Sequence, residues 1–195
     1  MPVPIFQDPR FDALRNAIYH TARGRFLEAI NRLFNFLVIV LGATAVGKLA
    51  DAIHTGSWVE LGIVLIATAQ LVFDFAGRSS THIFLQKRYY DLLAEMELNP
   101  SDDENNRRKW SNKLLTLAGD EPLPLRALDA IAYNTALDAL INEAEQLKQY
   151  RLRVPWLYRR LRHLIAFPGT QFMPESTHVK FRHRIFKKES RGKET

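Results

Sequence analysis

The chain contains no cysteine, which excludes disulfides and any thiolate metal site. Its first 32 residues are mixed and charged and lack the early apolar core of a cleavable signal. Beyond one short run, "QLVFD" ending at Asp74, the first three-quarters of the chain have no β-type segments from which a sheet could be completed. Two further absences are more informative. No charged residue occurs from Leu33 to Gly47, and none from Leu61 to Phe73.

The missing sheet decides how to read "LGATAVGKLA", residues 41–50. Gly42, four residues, then Gly47-Lys48 match G-x-x-x-x-G-K, the outline of a phosphate-binding loop. That motif needs a Ser or Thr hydroxyl after the lysine to hold magnesium, and Leu49 stands there. It also needs a strand leading into the loop and a helix leaving it. Neither requirement is met, so the glycines need another explanation.

The mean hydropathy of −0.19 would suit a soluble protein, but it averages over two concentrated apolar segments. Taken as 33–50 and 58–76, each would be about 27–28 Å long as a helix, close to a hydrocarbon core of about 30 Å. The short polar link "DAIHTGS", 51–57, would make them an antiparallel hairpin, with Trp58 at the interface. Arg10, Arg15, Arg23, Arg25 and Arg32 precede the first span. Arg78, Lys87 and Arg88 follow the second, and the link has only Lys48 at its margin. The positive-inside rule then places both termini in the cytoplasm. The alternative is a soluble bundle with two central helices buried on all sides.

In a membrane helix, small residues let backbones approach. Ala43 and Gly47 lie four apart on one face, with Gly42 beside them, so the false loop is expected to be a helix-packing surface. It would face either the second span or another subunit. Polar groups inside the spans tend to face a partner helix or water. Gln70 with Asp74, Thr44 with Lys48, and Asn35 are therefore the candidate pore-lining residues. The competing expectation puts Asp74 and Lys48 at headgroup level and lets Gln70 bond across the hairpin.

The region before the first span carries Phe11, Leu14, Ile18, Ala22, Phe26 and Ile30 at helical spacing, running into the span. After the second span, Ile83, Tyr90, Leu93 and Met96 mark a helix ending at Asn99-Pro100. Ser101 with Glu104 suggests a capping box and a third helix ending near Gly119. Then follows a long amphipathic segment with Leu125, Leu128, Ile131, Ala132, Ala136, Leu140 and Leu147 on its stripe. "VPWLYRRLRHLIAF" predicts a helix from Pro155 to Pro168. Its apolar arc opposes Arg159 and Arg162, as on an interfacial helix or an ordinary surface one.

Charge is uneven along the chain. Residues 151–195 hold 12 Lys/Arg against 3 Asp/Glu, while 89–150 hold 6 against 12. The basic end suggests contact with a polyanion. Lys180, Arg182, Arg184, Lys187 and Lys188, with Arg159 and Arg162, are candidate binders of anionic lipid. Nucleic acid is the weaker alternative partner, through the same tail on a soluble bundle. Catalytic chemistry is not proposed by any spacing: His178 and His183 are five apart, the other histidines are scattered, and Ser79 and Ser80 lack a His–carboxylate partner. We expect no enzyme, no metal and no cofactor.

The layout resembles the SLATT family, the SMODS- and SLOG-associating two-transmembrane effector domains of bacteria. The resemblance covers roughly residues 10–150 and is most specific in "DEPLPLRALDAIAYNTA", through Glu121, Pro122, Arg126, Ala127, Leu128, Asp129 and Asn134. It implies a membrane effector of conflict or anti-phage systems that oligomerises and permeabilises the inner membrane. It also implies a nucleotide-second-messenger enzyme or sensor encoded nearby. A non-conducting membrane adaptor whose bundle docks a partner is the alternative. The expected organisation is all-α: an N-terminal cytoplasmic helix (1–32), a transmembrane hairpin (33–76), a cytoplasmic helical bundle (77–150), and a basic helix with polybasic tail (151–195).

Overall fold

A computed structural model describes residues 8–51, 58–100 and 103–176, with the side chains of 44–51, 59 and 60 outside the description. The fold is all-α. The helices are α1 (Pro9–Asp51), α2 (Trp58–Phe73), α3 (Phe75–Leu98), α4 (Glu104–Gly119), α5 (Arg126–Leu140), α6 (Ala144–Tyr150) and α7 (Trp156–Leu161). No strand forms among the described residues; one isolated antiparallel bridge joins Leu152 to Pro174.

The 43-residue α1 runs unbroken from the charged N-terminal stretch through the first apolar segment. Gly42 to Lys48 lie inside it, so their backbone N–H groups belong to a helix and cannot cradle a phosphate. The chain divides into two compact units. One is His20–Phe84; the other takes residues up to Tyr19 and from Leu85 onward.

In the His20–Phe84 unit, α2 lies against α1. A Cβ placed on Gly62 would meet Leu41 Cδ1 at 3.8 Å, and the Phe34 and Phe75 rings stack 5.3 Å apart. Below the apolar segments the helices come closer. Gly24 is buried, and a Cβ there would lie 3.2 Å from Ile83 Cγ1. The Gly24 carbonyl accepts a hydrogen bond from buried Ser79 Oγ at 3.0 Å. Gly24 weakens a helix by about 1 kcal/mol relative to Ala, and the close approach is what it permits.

The other unit is built on two cores. Ala13, Ala17, Tyr89, Leu92, Met96, Trp110 and Leu117 form the first. Phe11, Ala136, Leu137 and Ile141 form the second, with Tyr133 packed edge-on to Phe11 at 5.2 Å. The buried stripe of α3 is Ser79 and His82 in the His20–Phe84 unit and Leu85, Tyr89, Leu92 and Met96 in this one. Of the expected set only Met96 is buried; Leu93 is half-buried against the core, and Ile83 and Tyr90 are exposed.

Three boundaries also differ from the sequence reading. Asp103, not Ser101, is the N-cap of α4, its side chain accepting from Asn105 N. The long segment after Pro124 is two helices, because Ile141 turns extended (φ −113°, ψ 118°) and buries its side chain in the second core. The helix opened by Pro155 ends at Leu161, after which the chain turns through Phe167 and Gly169, both at positive φ.

Candidate functional site: polar groups within the apolar hairpin

The apolar segments of α1 and α2 are poorly covered by the rest of the chain. In the 18-residue windows with the strongest apolar character, only 6% and 0% of residues are buried. Phe36, Ile39, Val64, Leu65, Leu71 and Val72 all stand exposed. A soluble bundle would bury such side chains, and two helices of this length and composition can span a bilayer. Membrane association is the reading they support.

Against this background the polar residues are few. Gln70 Nε2 donates to Asn35 Oδ1 at 2.8 Å, joining α2 to α1. Two candidate pore-lining residues are thus brought together and satisfy part of each other's hydrogen-bonding capacity. Asp74 behaves differently. It falls between α2 and α3 with φ at 42°, in the left-handed region that non-glycine residues seldom occupy. Its Oδ1 accepts from Gly77 N at 3.1 Å, and a Cβ on Gly77 would lie 2.2 Å from its Oδ2. The carboxylate therefore caps the first turn of α3. The left-handed residue interrupts the helical register that would stack Asp74 over Gln70, although Asp74 N still reaches Gln70 O at 3.0 Å.

The side chains of Thr44 and Lys48 lie outside the described residues, as does the surrounding of Gly47. Gly42 has open space where a Cβ would project, and Ala43 is exposed. Among the described residues, Gly42 and Ala43 make no close contact with α2. At Gly62 the two spans are within ordinary van der Waals reach.

Sequence reasoning missed a second polar contact in the same unit. His20 and His82, both buried, face each other with their Nδ1 atoms 2.8 Å apart. One ring must donate and the other accept, so the pair carries at least one bare nitrogen. In the sequence the two rings counted only among scattered histidines. Their i positions on different helices, 62 residues apart, give no sequence signal.

In the other unit, the segment that carries the family resemblance is a junction of polar contacts. Arg15 Nε and Nη2 grip both oxygens of Asp129, at 2.8 and 2.5 Å. Burial works against the Arg15 charge, yet this bidentate bond holds its pKa above the ordinary value. Tyr89 Oη donates to Glu121, and burial together with that carboxylate raises the Tyr89 pKa far above its usual range. Burial likewise pushes Tyr133 up to about 12. Asn134 donates to Leu152 O and accepts from Leu152 N, both at 2.8 Å. Ala127 and Leu128 are fully buried. These contacts tie α1, α3, α5 and the segment after α6 together within this unit.

Of the candidate lipid ligands, Arg159 is exposed and Arg162 half-buried; Lys180, Arg182, Arg184, Lys187 and Lys188 lie outside the described residues. Among the described residues no cluster of three or more His, Asp or Glu side chains is placed to hold a metal. Compared with protein-family models, curated proteins and solved structures, the chain matches none.

Proposed function

We propose that the protein is a bacterial inner-membrane effector whose two-helix hairpins associate and permeabilise the membrane, with both termini in the cytoplasm. The observation that carries this is the exposure of the apolar segments of α1 and α2, whose side chains the rest of the chain leaves uncovered. Lipid covers such a surface without further design. Association is supported by the open face at Gly42 and Ala43, since membrane helices dock through small residues. Permeabilisation is supported by the polar groups Asn35, Gln70 and Asp74 in or beside the spans, and by the resemblance to two-span effectors of defence systems. A nucleotide-signalling partner would supply the trigger.

A second reading is favoured by one contact. Because Gln70 and Asn35 engage each other, less polarity is left to wet a conducting path, as expected of a non-conducting adaptor. The two readings separate in proteoliposomes. The effector reading expects ion flux from the purified protein with its genomic partners and their nucleotide signal. Absence of flux under those conditions replaces it with the adaptor reading.

A further inference from the structure

The segment after α6 is folded by specific bonds yet leaves five large apolar side chains exposed. Arg153 N donates to Met173 O at 3.0 Å and Glu175 N to Arg151 O at 2.9 Å, closing residues 151–175 on themselves. Asn134 clamps Leu152 from α5, and Arg126 N donates to Ala166 O at 3.2 Å. Inside the loop, Tyr158 packs on Phe167 and edge-on to Phe172, with centroids 4.6 and 5.4 Å away. Aromatic packing is thus satisfied inward. Outward, Trp156, Leu157, Leu164, Ile165 and Met173 are between 43% and 71% exposed. Elsewhere in this unit the exposed large apolar residues, such as Leu98, Leu115 and Leu123, are scattered along separate elements, which is ordinary. Five within 18 residues of an ordered segment are not.

The charge around them has one sign. From Gln146 to Pro174 there is no Asp or Glu, while Lys148, Arg151, Arg153, Arg159, Arg160 and Arg162 all fall there. Arg151 bonds Asp138, whereas Arg153, Arg159 and Arg160 are exposed with no carboxylate partner among the described residues. Among the described residues, Arg153 is the one charged side chain lining an open hollow of about 370 Å³ with Pro155, Tyr158, Thr170, Phe172 and Met173.

We propose that this segment, Leu152 to Pro174, is a docking surface for an anionic phospholipid leaflet. Its Trp, Leu, Ile and Met side chains enter the headgroup boundary, and Arg153, Arg159 and Arg160 meet the phosphates. A tryptophan among aliphatic side chains with arginines beside them suits a surface that is apolar below and anionic above. A protein partner would require carboxylates placed against three separate arginines; an anionic headgroup layer presents phosphates to all three wherever they land. The proposal rests on the membrane reading of the hairpin, and the experiment keeps the two apart.

Because the chain has no cysteine, single labels can be placed without background. The full-length protein is reconstituted in nanodiscs of phosphatidylcholine, with or without phosphatidylglycerol, carrying an environment-sensitive fluorophore at Leu157→Cys, Leu65→Cys or Leu115→Cys. Brominated acyl chains serve as the quencher. The label at Leu65→Cys reports the hairpin and should be quenched in both lipids. The label at Leu157→Cys should be quenched in discs containing phosphatidylglycerol, several-fold more than that at Leu115→Cys. Each of Arg153→Gln, Arg159→Gln and Arg160→Gln should reduce the docked population by up to roughly fivefold. Quenching at Leu65→Cys without any at Leu157→Cys in anionic discs overturns the docking surface and leaves the hairpin standing. Protection of Leu157→Cys that requires two copies per disc, independent of lipid charge, also overturns it and assigns the face to a second copy.

Discussion

Gln70 on α2 donates its side-chain amide to Asn35 on α1, 2.8 Å from nitrogen to oxygen, between two helices whose other side chains are mostly apolar. In hydrocarbon such a bond has no water to compete with it, yet measured bonds of this kind are worth only about 0.6–1.7 kcal/mol. The first prediction follows from its reciprocity. Gln70→Leu should lower stability in detergent by about that amount, and adding Asn35→Leu should restore most of it. Unfolding in mixed micelles reads both. A pore-wall role alone would change flux in Gln70→Leu while leaving the unfolding midpoint where it was.

The approach of α1 to α3 at Gly24 sets a second test. Gly24→Ala must push Ile83 Cγ1 from 3.2 Å, but it gains about 1 kcal/mol of helix propensity, so near-neutrality is expected. Gly24→Leu has no such room, and overpacking should cost about 1–3 kcal/mol. It should also break the Ser79 bond to the Gly24 carbonyl. Equal melting temperatures for the Ala and Leu variants would mean that the helices do not meet there.

A third prediction concerns the bidentate pair. The side chains of Arg15 and Asp129 are 31% and 17% exposed, so water reaches the pair and the loss falls short of a fully buried one. Asp129→Ala should cost about 2–3 kcal/mol, because the half-buried guanidinium keeps its charge without a partner. Arg15→Met with Asp129→Leu should recover much of the loss. Chemical denaturation of the four proteins gives the coupling directly.

The sequence pattern reached the helical class and the two apolar segments, because charge-free runs of that length leave a composition signal that needs no tertiary knowledge. It did not reach the buried face of α3. Ile83 and Tyr90 are more apolar than Ser79 and His82, so hydropathy selects them. The observed face is instead chosen by closeness to Gly24, where a small hydroxyl and a paired imidazole fit. The break at Ile141 was hidden for the opposite reason: apolar spacing continues across it, and only burial against Phe11 turns the chain. Asp74 is an ordinary residue in an ordinary helical context, and its left-handed backbone has no local signature. The polar spacing singled out Asn35 and Gln70 and allowed Gln70 a bond across the hairpin; that bond forms, with Asn35 as the partner the spacing did not name.

Acid behaviour offers a fourth test. Burial raises the Asp12 pKa, with Asp8 and Asp129 adding to the rise and Arg15 opposing it. The folded state therefore holds this proton more tightly than the unfolded chain. Stability from Asp12 is present below its unfolded value, about 3.8, and is lost as pH rises through the higher folded value. Asp12→Asn should thus raise the melting temperature at neutral pH, and the advantage should vanish as pH falls below 3.8. An advantage that persists unchanged in acid would point to a cause other than the buried charge.

The central claim is that α1 and α2 cross the inner membrane as a hairpin with both ends inside. Single cysteines at His54 and at Ser176 of the otherwise cysteine-free chain, treated in intact cells with a membrane-impermeant maleimide, test it most directly. The account predicts that His54→Cys is labelled from the periplasm once the outer membrane is opened, and Ser176→Cys only after the inner membrane is broken. Protection of both positions until lysis, with the protein recovered in the soluble fraction without detergent, would contradict it.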